Sequence, residues 1–356
     1  MKRALLISSL VVSILAVGVY LARVPLVMAL AGKVAQQRLS VDKVNELEDG
    51  LHVGLCGAGS PFVDDKHSGP CTVVVAGKHV LIFDAGSGSA RTLAKMGINA
   101  GNIEAIFLTH FHSDHIDGLG ELLLQRWVLN SNRVPVALYA PPGGNDVLNG
   151  IMQAYQHDQH YRVSHHGDLT VPASGFGAQL HQFDTSETGR RVILKDAELE
   201  VVAFDVDHGP VHPAVGYRIT YKGRKLVLSG DTKKSVEVQR EAEGADVLVH
   251  EALSLPLTNM LAQAAGKAGR ANLQKIFTDI TNYHTTPQQA AEVARDAHVG
   301  YLLLNHLVPA LPMPGLETAF LGNAGSIYGG PLTLGRDGDW ISLPSGSKEI
   351  HFQRLF

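Results

Sequence analysis

Basic charge is what this sequence has least to spare. Thirty Lys and Arg stand against 34 Asp and Glu, giving a net charge of -4 and a pI near 6.5. That balance argues against general nucleic-acid binding, which needs a basic face. Cysteine is scarcer still, at 2 in 356 residues, and stands beside 18 His. No internal repeat, low-complexity tract or linker follows residue 45, so repeat architectures are excluded. Charge is also missing locally. Lys2 and Arg3 precede the uncharged run 4–22, ALLISSLVVSILAVGVYLA.

That run approaches the ~20 apolar residues needed to span a bilayer and is longer than an ordinary signal-peptide core. Residues 1–32 therefore read as an uncleaved signal anchor, although Ala29-Leu30-Ala31 offers a cleavage site. Arg23, Lys33 and Arg38 partly balance Lys2 and Arg3, and the signal-like layout places the remaining chain outside the cytoplasm, on the periplasmic side of an inner membrane if the cell is bacterial. Cys56 and Cys71 flank the turn-rich stretch GAGSPFVDDKHSGP. A disulfide would be natural there in an oxidising compartment, and two buried thiols are the alternative.

Residues 45–356 form the second expected domain. Short apolar runs read as strands: TVVVAG, HVLIFDAG, AIFLT, VALYAP, LEVVAFDV, GYRITY, KLVLSG, DVLVHE and YLLLN. GLGELLLQRWVL, NDVLNGIMQAYQ and PQQAAEVARDA read as helices, the last opened by Thr286 as N-cap, Pro287 at the first position and Gln289 completing a capping box. Strands alternating with helices indicate an α/β fold.

The segment Thr109-His110-Phe111-His112-Ser113-Asp114-His115 follows AIFLT directly. Residues i and i+2 of an extended segment point the same way, so His110 and His112 can reach one metal, and the following turn lets Asp114 and His115 reach a second. Imidazole and carboxylate suit zinc or a similar transition metal, with manganese or iron as alternatives. His208, Asp231 and His306 each follow an apolar strand, where rigid scaffolds place functional side chains. His212 is a rival to His208.

In this order THFHSDHIDG, VDHGPVHPAVGYRI, SGDT, VHEA, YHTTPQQAA and LLLNH resemble the motifs of the RNase Z branch of the metallo-β-lactamase superfamily, over roughly residues 50–310. The resemblance implies a four-layer αβ/βα sandwich with two zinc ions between its sheets. His110, His112 and His208 would hold one ion, Asp114, His115 and His306 the other, and Asp231 would bridge them. Asp84 matches the family's early Asp and reads as structural. A bridging hydroxide would be the nucleophile, with Asp114 orienting it, His284 serving the leaving group and Glu251 orienting His284.

The pattern departs from the tRNA-processing members in two places. GYRITYKGRK runs straight into LVLSGDT, leaving no room for their long arm, and Ala310 stands where they commonly carry Arg. The leading expectation is therefore hydrolysis of a small anionic ester, arylsulfatase-like or phosphodiesterase-like, with no nucleic-acid partner and a possible homodimer. Lactonase or β-lactamase-like ring opening is the alternative, and tRNA 3′ processing is disfavoured. Arg162, His165 and His166, in YQHDQHYRVSHHG, are candidates to face the anionic ester.

Overall fold

In a computed structural model, which describes residues 2–40 and 42–356, the apolar runs become strands because each buries both faces. The first strands are β1 (Gly50–Gly57), β2 (Cys71–Ala76), β3 (His79–Phe83), β4 (Ala105–Phe107), β5 (Val136–Ala140) and β6 (Ala178–Gln182). There follow β7 (Arg190–Lys195), β8 (Leu199–Asp205), β9 (Val215–Tyr221), β10 (Arg224–Leu228), β11 (Val247–Leu253), β12 (Tyr301–Val308) and β13 (Leu332–Leu334). Two C-terminal strands, β14 (Asp339–Pro344) and β15 (His351–Arg354), return to the first sheet.

One sheet has the order β15-β14-β1-β2-β3-β4-β5-β6, the other β13-β12-β11-β10-β9-β8-β7. Pairing is antiparallel from β15 to β3 and parallel from β3 to β6. In the second sheet it is antiparallel from β7 to β10 and parallel from β10 to β13. Alternation along each strand divides the side chains between two cores. Val74, Leu81, Phe83 and Phe107 meet Tyr217, Ile219, Val249 and Leu303 between the sheets. Val73, Val75, Val80 and Ile82 point outward onto Leu93, Leu119, Leu122 and Leu123 of the covering helices. Leu248, Leu302 and Leu304 do the same on the other side, against Val238, Ala290, Val293 and Ala294. Helix, sheet, sheet and helix make the four layers.

The helix Pro287–Asp296 begins with the expected capping box, Thr286 and Gln289 reciprocally bonded. NDVLNGIMQAYQ does form a helix, but it runs Gly144–His166 and takes in nearly all of the Tyr155–Gly167 segment. Cys56 and Cys71 are joined in a disulfide on neighbouring β1 and β2, their Cα atoms 4.9 Å apart.

The chain divides into two units between Lys43 and Val44. The N-terminal unit is the helix Lys2–Ser40, with Pro25 inside it. Its stretch Val12–Gln37 has a mean hydropathy of 2.1 and is the one helix among the described residues long and apolar enough to cross a membrane. The side chains of Lys2, Arg3 and Arg38, on which the charge-balance argument turned, lie outside the described residues.

Candidate metal centre

Loops at the ends of the strands build the site. His110 and His112 follow β4, and Asp114 and His115 lie on the one-turn helix Ser113–Ile116. His208 follows β8 and Asp231 follows β10. His306 lies inside β12 at a break in register: Glu251 pairs with Asn305 and Ala252 with Leu307, so His306 is skipped. It is a bulge residue with φ 43, and such bulges re-aim a side chain out of the regular pleat.

These side chains converge on one carboxylate oxygen. Asp231 Oδ2 lies 3.1 Å from His306 Nε2, 3.3 Å from His115 Nε2, 3.8 Å from His208 Nε2 and 4.0 Å from His110 Nε2. Two groups of donor atoms flank it, His110, His112 and His208 with Asp231, and Asp114 with His115 and His306, while His284 comes close enough to join Asp231 and His306 in a third. Within each group the ligand atoms lie within 4.8 Å of one another. His212 is exposed and belongs to none of these groups.

The donor set fits divalent cations. His112 Nδ1 lies 3.0 Å from His110 Nε2 and 3.4 Å from His208 Nε2, so imidazole nitrogens face one another where few protons can be shared. His115 Nε2 is buried without a hydrogen-bonding partner, although carboxylate oxygens of Asp231 and Asp114 lie 3.3 and 3.6 Å away. Burial, reinforced by the neighbouring His115, pushes His110 well below its usual pKa, and burial takes His208 down to about 4. Both are therefore neutral, as ligands must be. Burial would raise Asp231, but His306 and His115 outweigh it and hold the carboxyl well below its ordinary range. The carboxylates in turn overcome burial at His115, raised well above its usual value, and at His306, raised to about 8. Positive charge is what these anions attract, and cations would supply it.

Outer contacts fix the rings. Asp84, at φ 58 just after β3, accepts from Thr109 N, Thr109 Oγ1 and His115 Nδ1, each at 2.8 Å. His208 Nδ1 donates to the Tyr283 carbonyl at 3.0 Å. Glu251 Oε1 accepts from His284 Nδ1 at 3.0 Å, Thr285 N at 3.0 Å and Thr232 N at 3.2 Å. Carboxylate and carbonyl partners of this kind set the tautomer of a ligand ring.

The family follows from two comparisons. A family model described as the beta-lactamase superfamily domain matches residues 79–307. The ribonuclease Z of Mycobacterium bovis (strain BCG / Pasteur 1173P2) is 35% identical over 291 residues, which cover 81% of this chain and 96% of that protein. The chain belongs to the ribonuclease Z branch of the metallo-β-lactamase superfamily. It is accordingly a metal-dependent hydrolase. The ribonuclease Z of Mycolicibacterium gilvum is likewise 35% identical, covering 81% of this chain and 94% of its own. Among solved structures, human tRNase Z, short form, superposes with a TM-score of 0.59 at 23% identity, covering 82% of this chain and 99% of its own. A metallo-β-lactamase-fold protein of Bacillus subtilis gives 0.58 at 18%, covering 83% of this chain and all of its own. These two support the fold.

Membership in this branch corrects one expectation. The absence of a nucleic-acid partner, inferred from the acidic balance, is overturned by relatives that are ribonucleases by name. Net charge averages over the whole surface and does not describe a cleft in which bound cations would stand in for Lys and Arg as the positive partner. The lean towards an arylsulfatase-like enzyme loses ground for the same reason.

A cavity of about 270 Å³ opens over the centre, with His112, Asp114, Asp231, His284 and His306 along its floor. Arg162, His165 and His166 do not line it. They lie in the last turns of the long helix Gly144–His166, where Arg162 pairs with Asp158 at 2.7 Å. Sequence reasoning missed the cavity's other wall, Phe62, Ile276, Ile280 and Tyr283. The Pro-Phe pair inside the cysteine-flanked loop was the available signal.

Proposed function

We propose that this chain is a dinuclear zinc phosphodiesterase that cuts RNA, with tRNA as the substrate class suggested by the names of its relatives. The observation that carries the reading is the convergence of four imidazoles on Asp231 Oδ2, with a donor group on either side. His110, His112 and His208 would hold one ion, Asp114, His115 and His306 the other, and Asp231 both. Such a pair, when bound, supplies an activated water and neutralises the oxygens of an in-line displacement.

The chain's own residues do the rest. Asp114 lines the cavity and orients the incoming water. Glu251 fixes His284 Nδ1 as an N–H donor and burial takes the ring down to about 4, so Nε2 on this cavity-lining ring carries a lone pair; it takes the proton released by the incoming water and passes that proton on to the departing oxygen. Only Lys222 and Gly223 separate β9 from β10, so an RNA-gripping arm has no place in that turn, and the grip comes from other surfaces.

The test is turnover of a tRNA precursor and bis-nitrophenyl phosphate by zinc-loaded protein, beside nitrophenyl sulfate and a lactone. Phosphodiesters are cut, Asp231→Ala reduces cutting to background with loss of bound zinc, and His284→Ala costs about 10²–10⁴-fold with zinc retained. Turnover of the sulfate or lactone with both phosphodiesters left intact sinks the reading.

Independently of the substrate, we propose that the hydrolase unit is held at a membrane in an oxidising compartment. It is supported by the exposed apolar stretch Val12–Gln37 and the Cys56–Cys71 disulfide. Recovery of the full chain in the soluble fraction, with both thiols open to alkylation, would refute it.

A further inference from the structure

Half of the cavity wall has no role in holding metal or moving protons. Phe62 comes from the loop between β1 and β2, and Ile276 and Ile280 from the helix Ala271–Asp279 and the turn after it. Tyr283 stands just before His284. Phe62 stacks on Phe277 with centroids 5.2 Å apart and an interplanar angle of 27°, so the ring is braced from behind while it lines the cavity. Tyr283 is fixed at the other side. Its ring stands at 86° to His208 with centroids 5.2 Å apart, and its carbonyl holds His208 Nδ1. The loop bearing Phe62 is closed at its base by the Cys56–Cys71 disulfide, and Ser68 N and Ala58 N both donate to Asp337.

This wall is apolar, flat in part and open to solvent. Ile276 is 44% exposed and Phe62 is only half-buried. Apolar groups left facing water beside a charged floor mark a ligand surface more often than a core. A ligand that satisfies both walls carries an anion at one end and a flat apolar ring at the other. At about 270 Å³ the cavity is below the ~300–1,000 Å³ usual for drug-sized ligands, which suits one nucleotide rather than a folded strand.

We propose that Phe62 and Tyr283, backed by Ile276 and Ile280, form a stacking subsite for the nucleobase next to the scissile phosphate. The proposal rests on the phosphodiesterase reading above. Stacking on aromatic side chains tolerates every base, because each base has a π-face, so the subsite grips without selecting sequence.

The test is equilibrium binding, by calorimetry, of adenosine 5′-monophosphate and ribose 5-phosphate to the zinc-loaded full chain. Both carry the same phosphate, and only one carries a base. The nucleotide should bind about 5- to 150-fold more tightly, the span expected of one aromatic stack. That ratio should fall towards one in Phe62→Ala and survive in Phe62→Tyr. Phe62→Leu, which keeps apolar volume without a flat ring, should lose most of it and serves if the alanine variant does not fold. Equal affinities in the unaltered protein, or a preference that persists in both Phe62→Ala and Phe62→Leu, overturns the subsite. Turnover of phosphodiesters in the same preparation separates the two ideas. A base preference without turnover leaves the subsite standing and removes the assigned reaction, and turnover with equal affinities does the reverse.

Discussion

Asp84 shows how much of the site depends on side chains that never meet the substrate. Its backbone sits at φ 58, a left-handed conformation uncommon for a residue with a Cβ. There its two oxygens take both donors of Thr109 and the Nδ1–H of His115. His115 is thereby left with Nε2 as its inner nitrogen, beside Asp231. Asp84→Asn keeps the shape but replaces one acceptor with a donor. Zinc affinity, measured by competition with a chromogenic chelator, should fall about 10–100-fold, the usual cost of losing such a partner. From the sequence this residue could be aligned with a motif, but its three bonds come from segments that meet only in the folded sheet.

Elements were legible to the extent that their periodicity was local. The continuous apolar runs were readable as strands because burial on both faces removes polar alternation. Weaker strands escaped: β6, AQLHQ, and β7, RRVILK, lie at the outer ends of their sheets and carry polar residues. The helix Gly144–His166 was read too short because its second half is polar and exposed, and only contacts such as Tyr155 and Val163 with the Trp127 cluster keep it packed. The capped helix Pro287–Asp296 was legible because its start signal lies within four residues. Its cap also anchors the segment carrying His284, since Thr285 N and Oγ1 donate to Glu251 and to the Thr232 carbonyl. Thr286→Ala removes the cap bond to Gln289 N and should destabilise the protein by about 1 kcal/mol in urea unfolding, with zinc content unchanged. An unchanged unfolding midpoint would mean that tertiary packing alone holds this helix end.

At the scale of the whole molecule, the metal centre joins strand ends from both sheets: His110 follows a strand of one, and His208, Asp231 and His306 belong to the other. Cations bound there would cross-link the two halves of the sandwich. Binding to the folded form alone adds RT ln(1 + [L]/Kd), about 4 kcal/mol at a thousandfold excess over Kd. Chelation should therefore lower the melting temperature of the hydrolase unit and zinc should restore it. A melting temperature indifferent to chelator would show that the cluster holds no ion that the fold depends on.

The sequence alone determined which residue types were available as ligands and which strand each would follow, because a motif such as His110-Phe111-His112-Ser113-Asp114-His115 is compact and the strands before it announce themselves. It also carried the alternation of strand and helix that the four layers require. The tertiary structure decided what the candidate ligands share, that Cys56 and Cys71 are bonded, and that Arg162, His165 and His166 ride on one helix and are not among the residues lining the cavity. It also brought Phe62 and Ile276, more than two hundred positions apart, to one wall. Those outcomes depend on how two sheets twist and close on each other, and no local run of residues encodes that meeting.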